Sequence, residues 1–100
     1  MSAHVKSYTA ESVLTSLGYE DALTAARQQV QMLLLGRKAH YEASIQQIQA
    51  RWEHPMEELR SQYEALNVES FEADDDYLQW RWYQDALETV EAQLQAVREW

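Results

Sequence analysis

LTAARQQVQMLLLGRKAHYEASIQQIQARW, residues 23–52, is the stretch on which the fold turns. Leu23, Ala26, Val30, Leu34, Arg37, Tyr41, Ile45, Ile48 and Trp52 follow one another in steps of three and four. Each residue turns an α-helix by ~100°, so such steps return to one face. The steps repeat every eleven residues, close to the ~3.67 residues per turn of nearly straight packing. The pattern predicts one helix over residues 19–52, about 50 Å long. Glu20 and Asp21 fall in its first turn, where the helix dipole favours acids. Arg37 interrupts the stripe and is expected to snorkel or to pair with an acid on a facing helix.

Within this helix, residues 32–35 are apolar right round the circumference. One facing helix covers one stripe only. Met32, Leu33 and Leu35 are therefore expected to meet a multi-helix core or a second chain, and are the candidate dimer-interface residues. Gly36 follows at once and allows close backbone approach, at a cost of about 1 kcal/mol in helix propensity.

Upstream, Thr9 is placed to N-cap a short helix over residues 10–17, with Ser12 in the position of the capping-box acid. Val13, Leu14 and Leu17 line one side of it, and Gly18 supplies the left-handed residue that ends it. Residues 1–9 have no period and read as an arm. Downstream, Glu53-His54-Pro55 breaks the stripe, because proline disfavours helix at the residue before it and suits a helix start. A short helix over residues 55–66 is expected to turn across the end of the long one. Met56, Leu59, Tyr63 and Leu66 form its apolar face. Residues 67–76 read as an acidic connector anchored by Val68 and Phe71. Asp74, Asp75 and Asp76 are taken to cap a last helix over residues 75–99. Trp80, Tyr83, Leu87, Val90, Leu94 and Val97 give that helix a heptad seam, with Trp82 and Ala86 off it.

The expected fold is therefore a single all-α domain over residues 1–100. It is a long, coiled-coil-like antiparallel helical hairpin with a short helix at the tip and a short N-terminal helix. Dimerisation is expected to complete a helical bundle.

Composition agrees: the chain has two Gly, one Pro and no Cys among 100 residues. Without cysteine there is no disulfide, thiolate nucleophile or Cys-ligated zinc. No apolar h-region opens the chain, which predicts no signal peptide. The run 32–35 is far too short to span a bilayer, so no membrane role is expected and the default location is cytoplasmic. The charge of −9 is uneven. Residues 1–52 carry five basic and four acidic side chains, while residues 53–100 carry three and thirteen. Residues 53–76 alone hold nine acids and one Arg. Such a surface repels phosphate backbones and attracts basic proteins, unless it is only a solvated face. Direct nucleic-acid binding is not expected, since the basic residues form no stripe.

Catalytic signatures are missing. His4, His40 and His54 are scattered, and none stands in a Glu-x-x-His or His-Glu-x-x-His pattern. Residues 74–76 lack the alternation and glycine of a calcium loop. No phosphate-binding glycine loop or nucleophile elbow occurs. The chain is read as a non-enzyme with no catalytic residue, metal or cofactor.

What remains is FEADDDYLQWRWY, residues 71–83. Its acids adjoin its aromatics, and residues two apart on a helix point ~200° apart. Tyr77, Trp80 and Trp82 thus cannot all face one core, and at least one is expected to project outward. Aromatics edged by charge are typical interface anchors. Phe71, Asp74, Asp75, Asp76, Tyr77, Trp80, Trp82 and Tyr83 are accordingly the candidate partner-binding residues. Taken singly, each aromatic also fits a wide core face.

Three segments carry a resemblance: Ser16-Leu-Gly-Tyr-Glu-Asp-Ala-Leu23, Lys38-Ala-His-Tyr-Glu42, and residues 71–87, FEADDDYLQWRWYQDAL. Together they resemble a group of small acidic helical proteins of bacteria and archaea, often encoded beside a small ribonuclease-type toxin and read as its antitoxin. Asp75-Asp-Tyr-Leu-Gln-Trp80 followed by Ala86-Leu87 is the most specific part. The chain departs from that group at Glu53-His54-Pro55-Met56, where the group tends to have Gly and an aromatic. The resemblance implies neutralisation of a partner by direct binding; the acidic surface makes a basic protein the expected partner, and the uncovered apolar residues make a homodimer or hetero-oligomer the expected assembly. Two other readings fit the composition: a structural or adaptor coiled-coil oligomerisation module, and an acidic nucleic-acid-mimic inhibitor of phage origin.

Overall fold

A computed structural model describes residues 7–65 and 71–100. Leu66 and Val68, and the side chains of Tyr63 and Phe71, lie outside that description. Among the described residues four helices follow in order: α1 (Ala10–Ser16), α2 (Ala22–Gln49), α3 (Met56–Ala65) and α4 (Phe71–Arg98). There is no strand among the described residues. The two 28-residue helices α2 and α4 pair lengthwise as an antiparallel hairpin, and α3 packs on α4 at the tip. The molecule measures 82 × 36 × 15 Å with a radius of gyration of 22.7 Å. A compact domain of this length has a radius near 13 Å, so this chain is elongated and flat.

Local chemistry sets the helix ends. Thr9 and Ser12 form a reciprocal capping box, each backbone N–H donating to the other's hydroxyl at 3.0 Å. Gly18 adopts φ +88°. It donates to the Thr15 carbonyl, and Tyr19 reaches back to that of Leu14. This Schellman closure satisfies carbonyls that α1 leaves unpaired. Asp21 caps α2, its carboxylate accepting the Thr24 N–H at 2.7 Å. That hydrogen bond lowers the Asp21 pKa below the usual carboxylate value. Asp21 is thus the cap of α2 and not a first-turn residue, and the helix starts at Ala22 and not at residue 19. At the tip, the Pro55 carbonyl accepts from Glu58, so proline stands just outside α3.

Among the described residues the core has two clusters. At the tip, Ile45, Ile48, Met56, Leu59, Ala73 and Trp80 are buried together, with Trp52, Tyr77, Tyr83 and Leu87 packed around them. Met56 and Leu59 are wholly enclosed. Towards the open end, Leu34, Val90, Leu94 and Val97 pack with Val30 and Tyr41. The heptad seam of α4 is thus the packed one. The α2 stripe holds from Val30 onward and fails before it: Leu23 and Ala26 are exposed, and Ala25 is buried instead. The physical reason is register: the helices are equally long, but α4 is set towards the tip, where its residue Asp76 already meets Trp52 beyond the end of α2. α4 stops at Arg98, where the Arg27 guanidinium meets the Trp100 carbonyl at 3.4 Å, so little of α4 remains to cover Leu23. Arg37 is exposed on the flank of the seam. α1 buries none of its own residues, and Val13 and Leu17 stay exposed.

The expectation that Asp74, Asp75 and Asp76 cap the last helix is corrected. α4 already includes Phe71, and the three acids lie within it. Aspartate in a run reads as helix punctuation because its side chain competes for backbone N–H groups. Here tertiary partners outweigh that tendency for Asp76, which points inward and is buried.

Candidate interaction surface

α4 sorts the acidic-aromatic segment onto two sides. The inward side carries Ala73, Asp76, Trp80 and Tyr83. Trp80 is 5% exposed, and its indole Nε1 has no hydrogen-bond partner among the described residues. Asp76 lies under the end of α2. Its carboxylate accepts the Trp52 Nε1–H at 2.8 Å and the Arg51 guanidinium at 3.0 and 3.2 Å. A buried carboxylate is tolerated only when paired and hydrogen-bonded in this way. Asp76 and Trp80 thus hold the tip together, and neither is presented outward. Tyr77 and Tyr83 are half-buried at the edge of the tip cluster.

The outward side carries Asp74, Asp75, Leu78, Trp82 and Asp85, all exposed. Leu78 and Trp82 are 60% and 61% exposed. They stand one helical turn apart, at i and i+4, and so share a face. Trp82 is also braced. It meets Tyr83 edge-on at a ring separation of 5.1 Å and Tyr41 of α2 at 6.0 Å. Edge-to-face contacts of this kind are worth about 0.5–1.5 kcal/mol beyond burial, enough to restrict the indole without hiding it. Beside it, a groove of about 310 Å³ between α2 and α4 is lined by Arg37, Tyr41, Trp82, Asp85, Thr89 and Val90. Arg81 approaches Asp85 at 3.8 Å, a loose and well-solvated pair.

Sequence reasoning therefore joined residues that the fold separates, and it missed Leu78. Its signal was available: counting four residues back from the off-seam Trp82 lands on Leu78. Among the described residues, no group of three or more His, Asp or Glu is arranged to hold a metal ion. No described helix is long and apolar enough to cross a membrane. No protein-family model matches the chain, and no curated protein or solved structure matches it.

Proposed function

We propose that this chain is an antitoxin-like binding protein that masks a basic protein partner, of ribonuclease type, with the outward face of α4. The observation that carries the reading is the exposed pair Leu78 and Trp82, bordered by Asp74, Asp75 and Asp85. An apolar anchor inside an acidic rim matches a basic protein surface: the rim steers the encounter and the desolvated aromatic slows release. An RNA-binding site of a nuclease is basic because it neutralises phosphates, so it is a fitting target for such a rim. The braced indole supports the same reading, because a pre-ordered anchor loses less side-chain freedom on binding.

The test uses the purified chain and the product of a small basic reading frame adjacent to its own. The expected result is a stable complex in which RNA cleavage by the partner stops, with Trp82→Ala weakening inhibition at least tenfold. A partner nuclease that neither binds nor loses activity rejects the reading.

A further inference from the structure

Met32, Leu33 and Leu35 are each half or more exposed, so α1, α3 and α4 leave them uncovered. Leu34 faces α4, and rotation by ~100° per residue places every other side chain of α2 relative to it. The charged residues of α2 are Arg27, Arg37, Lys38 and Glu42, and all fall on the half turned towards α4. The outward half carries Met32, Leu33, Leu35, Gly36, Ala39 and Ala43, and its remaining positions are Ala, Gln and His. A helix face turned to water ordinarily carries charge. This one has none, in a chain that is 25% charged.

Gly36 stands at the middle of that half. A Cβ added there would meet nothing within 4 Å, so no packing among the described residues calls for glycine. Glycine also weakens a helix interior. A close approach from outside gives it a role.

We infer that this face joins two copies of the chain, α2 against α2, antiparallel, crossing at Gly36. Charge selects the occupant. Residues 1–52 sum to +1, from five basic and four acidic side chains, and residues 53–100 sum to −10, from three and thirteen. The uncharged face offers nothing to a basic protein, whereas it matches itself, as an isologous contact requires. Charge also selects the orientation. Parallel packing would set the two acidic tips side by side, and antiparallel packing sends them to opposite ends. Gly36 lies near the centre of Ala22–Gln49, so an antiparallel crossing there overlaps the two helices along their length. This surface is on α2 and is separate from the α4 face assigned to a basic partner.

Light scattering on the chain alone, at tens of micromolar, should give twice the 11.8 kDa chain mass. Leu35→Glu and Met32→Glu should return the mass to that of one chain while circular dichroism stays helical. The chain has no cysteine, so single cysteines report geometry. Gly36→Cys should cross-link to its own copy on oxidation. If the reduced variant is instead monomeric while wild type is dimeric, Gly36 is likewise placed in the contact. Ala43→Cys should not cross-link, because antiparallel copies of that position lie about 21 Å apart, beyond the ~7 Å reach of a disulfide. A wild-type chain that stays monomeric overturns the inference. So does cross-linking at both positions, which signifies parallel pairing, or a dimeric Gly36→Cys protein that does not cross-link.

Discussion

The indole N–H of Trp52 donates to the carboxylate of Asp76 across 2.8 Å, tying the end of α2 to the second turn of α4. Between these residues the chain turns through Pro55 and passes through α3, so this bond closes the tip. Arg51 joins the same carboxylate, but its side chain is 56% exposed. Asp76→Ala removes the acceptor of both neighbours and should destabilise by about 1.5–3 kcal/mol, the range for hydrogen bonds to a charged group. Arg51→Ala leaves the nearly buried carboxylate without its cation but still bonded to the Trp52 N–H, and should destabilise by a comparable amount, because an uncompensated buried charge is costly. Urea unfolding of the two variants checks this, and no measurable loss in either would contradict it.

The tip cluster should be the mechanical centre of the hairpin. Leu59 is 1% exposed, and truncating such a side chain to alanine costs about 2–5 kcal/mol. Small domains total only about 5–15 kcal/mol. Leu59→Ala should move the urea midpoint far below that of Leu78→Ala, whose side chain is 60% exposed and lies outside the α2 face assigned to a second copy. A small change in midpoint for Leu59→Ala would show that α3 is dispensable.

Trp80 and Trp82 should separate stability from recognition. Trp80→Ala should cost about 3–5 kcal/mol. Trp82→Ala should cost less, about 1–3 kcal/mol, since it removes two edge contacts of about 0.5–1.5 kcal/mol each. Acrylamide quenching should be weaker in Trp82→Phe than in wild type, because the most accessible indole of the hairpin centre is gone.

Asp21 should make helix α2 sensitive to acid. Its hydrogen bond to Thr24 lowers its pKa in the folded chain. A lowered folded pKa means stability that is present above the unfolded value and lost as pH falls through the folded one. Helicity lost on acidification should be smaller in Asp21→Ala, which already lacks the cap at neutral pH. An NMR titration placing Asp21 at or above the ordinary aspartate value would remove the basis for this.

Ionic strength should act on encounter with a basic partner. The Debye length falls to about 8 Å at physiological salt. The association rate should drop markedly between low and physiological salt while dissociation changes little. A flat association rate would reject steering by Asp74, Asp75 and Asp85.

The hairpin was legible because its seam residues recur at helical spacing on both long helices, and because Thr9, Gly18 and Pro55 punctuate the chain by backbone chemistry that needs no partner. The start of α4 was not legible. Asp74, Asp75 and Asp76 resemble a cap by composition, and only the approach of Arg51 and Trp52 explains why Asp76 lies inside a helix. The upper end of the α2 stripe failed for a similar reason. Leu23 has the right spacing, but burial needs a neighbour, and the axial offset of α4 against α2 is not written in either repeat. On the site, periodicity correctly set Trp82 apart from Trp80. It did not distinguish an acid that steers a partner from one that locks the tip.

A body 82 Å long, 36 Å wide and 15 Å thick also tumbles and diffuses unlike a sphere of its mass. Friction depends on length more than on volume, so this chain should leave a gel-filtration column early, at the position of a globular protein considerably heavier than 11.8 kDa. Elution volume therefore confuses one chain with two, and only methods that weigh the particle, or resolve its frictional ratio, can count the copies.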